Sequence, residues 1–86
     1  MEMLQYFLTC YFNSNENFDD LDNLINEFKK ETDAQQLKFI KELEQIIQTK
    51  NYTLASEIIK KYGHRIFDEK KTKQFINFLY DQLMDR

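Results

Sequence analysis

Apolar residues recur along almost the whole of this chain at spacings of three and four, and almost nowhere at spacings of two. Amphipathic helices packed on one another satisfy that period, whereas half-buried strands do not. Punctuation points the same way. There is no proline and no valine, and the one glycine is Gly63, so the usual residues of hairpin turns and the commonest strand former are missing together. The expected fold class is therefore all-α, a single compact bundle of about five amphipathic helices. At 86 residues the chain should form one domain, 1–86, because a division would leave each half near the roughly 40 to 50 residues at which unaided folding fails. Eight Phe and five Tyr supply enough buriable surface to offset the entropy of ordering, which argues against disorder.

The first expected helix carries Leu4, Phe7, Leu8 and Tyr11 on one stripe and ends in Asn13, Ser14, Asn15, Glu16 and Asn17, whose side chains compete for backbone hydrogen bonds. Asp19, Asp20 and Asp22 suit the positive end of a second helix, which buries Leu21, Leu24, Ile25 and Phe28 and closes on Lys29 and Lys30. Thr32 and Gln35 have the spacing of a capping box and open a third helix with the stripe Leu37, Ile40, Leu43, Ile46 and Ile47. Residues 51–53 break the pattern. A fourth helix then runs through Leu54, Ala55, Ile58, Ile59 and Tyr62 to Gly63, read as the left-handed stop. After a connection through Ile66 and Phe67, Thr72 is read as the cap of a last helix with Phe75, Ile76, Leu79 and Leu83 inward.

Chemistry-bearing residues are few. His64 follows the expected stop of the fourth helix, where an imidazole favours the last carbonyls, and Cys10 is read as a small buried hydrophobe. Neither has an evident catalytic partner, so no catalytic residue and no cofactor are expected, and the chain does not read as an enzyme. Glu16, Asp19, Asp20 and Asp22 invite a cation, but a calcium-binding loop of the EF-hand kind needs a central glycine that this segment lacks. No metal is expected. The longest uncharged stretch, residues 3–15, contains Gln5, Thr9 and Asn13 and falls short of the roughly 20 apolar residues that span a bilayer. A start without basic residues and a lone cysteine suggest a cytoplasmic protein.

Charge is divided unevenly along the chain. Eight of the fifteen carboxylates fall in the first 33 residues against Lys29 and Lys30, a net −6, while the remainder carries +3. Two of the three clustered aspartates are explained by the helix dipole alone. A second reading makes the segment a protein-binding surface, with Tyr11, Phe12 and Phe18 as aromatic anchors beside Glu16, Asp19, Asp20 and Asp22. Lys60, Lys61, Arg65, Lys70, Lys71 and Lys73 form a basic cluster. Yet the overall pI is about 5.1 and lysine is expected near helix C-termini, so nucleic acid is not the expected partner. Tyr52 and Tyr80 lie off the stripes and are candidate exposed contacts. The oligomeric state is left open.

Phe7, Leu8, Thr9, Cys10, Tyr11 and Phe12 form an "FL-x-x-YF" start, and Asn17, Phe18, Asp19 and Asp20 form an acidic stretch behind it. Residues 39–47 contain an "EL-x-x-LL"-like helix, and residues 75–83 are rich in aromatics. In these features the chain resembles a family of small bacterial immunity proteins of contact-dependent growth inhibition and related polymorphic toxin systems. Members often carry tryptophans after the "YF" pair and near the last helix, where this chain has Phe18 and Phe75 instead. The resemblance implies an all-helical cytoplasmic protein, without catalytic residues, that binds and blocks one cognate toxin domain, commonly a nuclease. The alternative is a small helical adaptor or regulatory interaction domain unrelated to toxins.

Overall fold

The structure, a computed structural model, describes residues 1–12 and 18–85, the side chain of Phe18 excepted. The expected loop at 13–17, and with it Glu16, lies outside the described residues. Five helices follow one another: α1 (Glu2–Cys10), α2 (Leu21–Phe28), α3 (Asp33–Thr49), α4 (Tyr52–Gly63) and α5 (Glu69–Met84), with a short 3-10 turn (Phe18–Asp20) leading into α2. No strand occurs among the described residues. The fold is an all-α bundle, as the apolar period requires.

Local signals set several of the helix ends. The Thr32 side chain accepts from the Gln35 amide at 3.2 Å and the Gln35 side chain accepts from the Thr32 amide at 3.4 Å, completing the capping box of α3. Asn51 caps α4 by accepting from the Leu54 amide. The cap of α5 is Asp68, whose carboxylate accepts from the Lys71 amide at 2.7 Å, and not Thr72, which is fully buried one turn inside the helix. Both residues are good N-caps, and Asp68 wins because Phe67 must turn inward ahead of the helix, where it packs on Phe75.

Helix α1 has no cap of its own. Met1 stands at its N-cap and offers no side-chain acceptor, and the Glu42 carboxylate of α3 takes that place from across the bundle. It accepts from the Met3 amide at 3.0 and 3.1 Å and from the Leu4 amide at 3.0 Å. Orphan N–H groups and the positive helix end are thereby satisfied by a residue about 40 positions away in sequence.

One core runs through all five helices. Phe7, Phe28 and Phe39 meet with ring centroids 5.2 to 5.8 Å apart, joining α1, α2 and α3. Phe12 stacks on Phe75 at 5.3 Å and ties the end of α1 to α5. The α5 stripe is buried as expected at Phe75, Ile76, Leu79 and Leu83.

Several sequence expectations are corrected by this packing. On α3 the inward face is Gln36, Phe39, Ile40, Leu43 and Ile46, while Leu37 is 48% exposed. Ile40, Leu43 and Ile46 are inward as expected, and at the start of the helix Gln36 takes the place expected of Leu37, its side-chain amide donating to the carbonyls of Lys29 and Glu31, both at 2.9 Å, which fastens the α2–α3 connection. Tyr52 is buried at the start of α4, whereas Leu54 is exposed. Tyr80 is half-buried and donates to Glu44 at 3.2 Å. Cys10 is exposed, because the buried face of α1 is Met3, Leu4, Phe7 and Leu8.

The α4 stop is His64, with φ 56°, and Gly63 remains helical. A Cβ on Gly63 would lie 3.1 Å from Leu8 Cδ2 and 3.6 Å from the Phe12 carbonyl oxygen. The glycine serves the close passage of α4 over the end of α1, so the left-handed turn falls to its neighbour, a residue type that enters this region more readily than most.

Leu43→Ala, which truncates a fully buried α3 side chain, is expected to cost about 2 to 5 kcal/mol in urea unfolding. Glu42→Ala should cost about 0.5 to 2 kcal/mol as a lost helix cap. An unmoved midpoint for the second variant would show that the start of α1 is held by other means.

Candidate partner-binding surface

Asp19 and Asp20 lie on the 3-10 turn and Asp22 on the first turn of α2, and all three are exposed. Asp20 occupies the N-cap position of α2 yet its side chain makes no cap hydrogen bond. The local reason is backbone conformation: at φ −89° and ψ 4° Asp20 continues the 3-10 turn instead of taking the extended shape that aims a cap at the following amides. None of the three carboxylates forms an ion pair among the described residues. Further along α2 the exposed positions are Asn23, Asn26 and Glu27, the last paired with Lys30 at 3.2 Å. The outer side of α2 is thus acidic or amide-bearing until its last turn.

The aromatic residues expected beside these acids are placed differently. Phe12 is fully buried, stacked on Phe75 and covered by the Arg65 guanidinium 4.0 Å from its ring centre, so its ring belongs to the core and not to an open surface. Tyr11 is half-buried, with its ring stacked on Phe7 at 5.7 Å and its hydroxyl donating to Glu31 at 2.9 Å. The side chain of Phe18, like Glu16, is outside the described residues. Of the seven residues singled out in the sequence, only the three aspartates stand together as a described, solvent-facing group.

A polar cluster that the sequence reading missed sits next to Tyr11. Glu31, in the α2–α3 connection, accepts from Tyr6 at 2.6 Å as well as from Tyr11. These two bonds hold the Glu31 carboxyl below its ordinary value of 4.5. The Tyr6 hydroxyl is raised above 10.0, first by its bond to Glu31, and the Tyr11 hydroxyl is raised first by burial and then by the same carboxylate. At the other end of α1, Glu2 pairs with Lys38 of α3. Nothing in local spacing announces either contact, because each joins residues 20 or more positions apart and depends on how α1 lies on its neighbours.

The basic cluster is partly occupied with structure. Arg65 covers Phe12, Lys71 lies 4.9 Å over Phe67, and Lys61 lies 5.5 Å over Tyr62. His64 is exposed at the end of α4. Among the described residues no group of three or more His, Cys, Asp or Glu is placed to hold a metal ion, and no helix is long and apolar enough to cross a membrane.

The described residues thus form a small helical bundle with three exposed aspartates around the start of α2. Residues 1–83 match the family described as CdiI immunity protein, and the chain belongs to that family. Membership carries toxin-neutralising immunity as the function. No curated protein and no solved structure matches the chain.

The Glu31 cluster dictates a two-sided pH response. Stability contributed by the lowered carboxyl is present above pH 4.5 and is lost as pH falls through its folded value. Stability contributed by the raised hydroxyls is present below pH 10.0 and is lost as pH rises through theirs. Thermal midpoints measured across pH should show a flattened acid limb for Glu31→Gln and a shallower alkaline limb for Tyr6→Phe. Profiles parallel to the parent protein would count against the cluster.

Proposed function

We propose that the protein neutralises a nuclease toxin domain in the cytoplasm by laying the start of α2 against the cationic surface on which that domain holds its nucleic acid. Three exposed carboxylates at Asp19, Asp20 and Asp22, none neutralised by a described cation, carry the reading. A nuclease is electropositive where it binds a polyanion, and carboxylates grouped on one helix start occupy the same field as phosphates. Local structure supports a recognition role beyond the helix dipole. An N-cap aspartate whose oxygen makes no cap bond forgoes part of the stabilisation available to it, and its charge is left for a partner. Long-range attraction of this kind chiefly speeds encounter, whereas dissociation is governed by the desolvated contacts made afterwards.

Asp19→Lys combined with Asp20→Lys should leave the thermal midpoint nearly unchanged, since both side chains are exposed. Association with the cognate toxin domain should slow by about tenfold or more at low salt, and the difference should shrink as salt rises. Stopped-flow binding and growth rescue on co-expression provide the readouts. Unchanged association and undiminished protection would refute the acidic contact. A toxin domain that cleaves no nucleic acid would refute the nuclease assignment.

A further inference from the structure

The connection from α4 to α5, residues 64–68, turns two of its side chains inward and leaves one far out. Arg65 lies with its guanidinium 4.0 Å from the centre of the Phe12 ring, and Phe67 is buried against Phe75 at 5.6 Å. Ile66, between them, is 85% exposed, against 52% for Met84, the next most exposed large apolar side chain of the described residues. An isoleucine left almost wholly in water forgoes the stabilisation that its burial would bring. Both of its neighbours are anchored on core rings, so it is held out at a fixed corner of the bundle.

Lysines flank that corner on both sides. Lys60 and Lys61 stand on the last turn of α4, and Lys70, Lys71 and Lys73 on the first two turns of α5, all exposed. Within residues 60–73 six cations are set against two carboxylates, and one of those, Asp68, is engaged as the α5 cap. Lys60, Lys70 and Lys73 enter no ion pair among the described residues. The helix dipole accounts for the pair on α4, where a cation meets the negative end, but it opposes Lys70 and Lys71 at the positive end of α5. Local stability therefore explains neither the α5 lysines nor the exposed isoleucine.

The residue types select the partner. Lysine is a compact point charge suited to a diffuse anionic layer, whereas the planar fork of arginine suits single phosphates and carboxylates, and the one arginine of this corner is committed to Phe12. Protein interfaces are depleted of lysine and favour tyrosine, tryptophan and arginine at their centres. Single-stranded nucleic acid is held by stacking on aromatic rings, and the projecting side chain here has none. A lone protruding aliphatic among lysines is matched by a bilayer surface, whose head groups supply the negative charge and whose acyl boundary accepts the apolar tip. We propose that the α4–α5 corner docks the protein on an anionic membrane surface, with Ile66 entering the acyl boundary and Lys60, Lys61, Lys70, Lys71 and Lys73 on the head groups. Contact of this kind is peripheral and reversible, needs no spanning helix, and does not depend on the acidic contact of α2.

Flotation with lipid vesicles tests the docking. The protein should bind vesicles of phosphatidylglycerol and phosphatidylcholine in equal parts at moderate salt, release as salt rises, and leave vesicles of phosphatidylcholine alone unbound. Ile66→Ser should lower the partition onto the anionic vesicles by about fivefold or more, and Lys70→Glu combined with Lys73→Glu by about tenfold or more. Because that reversal puts acid at the positive end of α5, the double variant should melt no lower than the parent, which separates lost docking from lost folding. A protein that ignores anionic vesicles, or variants that bind them as the parent does, would overturn the proposal. Duplex DNA and RNA, titrated at equal phosphate concentration, should bind more weakly than the vesicles, and tighter binding would make nucleic acid the partner and overturn it as well.

Discussion

Three hydrogen bonds from the start of α1 to one carboxylate of α3 decide how this bundle is put together. A nine-residue helix is too short to persist alone, and with Met1 at its N-cap α1 has no means of satisfying its first amides locally. Glu42 answers that deficit and fixes where α1 lies along α3. Leu4, Phe7 and Leu8 then enter the core in register with Phe39, and the end of the helix falls where Tyr11 reaches Glu31 and Phe12 reaches Phe75. Both ends of α1 are thus clamped to carboxylates or rings borne on later parts of the chain. Past Glu2 its outward side is left without charge, and with a place fixed against α3 and α4.

Much of this architecture could be read from residues alone. The 3.6 period located five helices, the Thr32 and Gln35 pair located the start of α3, and the α5 core positions were the ones the stripe indicated. Errors arose where tertiary packing chose between locally equivalent options. Asp68 and Thr72 are both competent caps, and the inward turn of Phe67 selected the first. Gly63 looked like a terminator because glycine usually is one, yet closeness to Leu8 gave it another task. By hydropathy Leu37 fits the α3 stripe better than Gln36 does. Gln36 is inside because two backbone carbonyls of the preceding connection needed a donor.

The candidate surface was legible in its charge and not in its aromatics. Carboxylates at a helix start remain exposed almost regardless of how the helix packs, so Asp19, Asp20 and Asp22 could be placed from sequence. Tyr11 and Phe12 follow one another on the chain but meet different neighbours. Whether such rings face solvent depends on where α3, α4 and α5 come to rest around them, which local spacing does not encode. The sequence did contain one sign pointing to α1, the absence of charge from residues 3–15, which served only to argue against a membrane span until exposure was known.

Two helix ends in this chain are closed by left-handed residues that are not glycine, Lys50 after α3 and His64 after α4, each with φ 56°. Such a conformation costs an ordinary side chain roughly 1 to 2 kcal/mol, and here both instances flank the same helix. α4 is therefore entered and left through tight left-handed turns, the first followed at once by the Asn51 cap. It is held in place by packing against both α1 and α5, including the bare Cα of Gly63 against Leu8. A change at Leu8 would accordingly be felt first at Gly63 and at the turn after it.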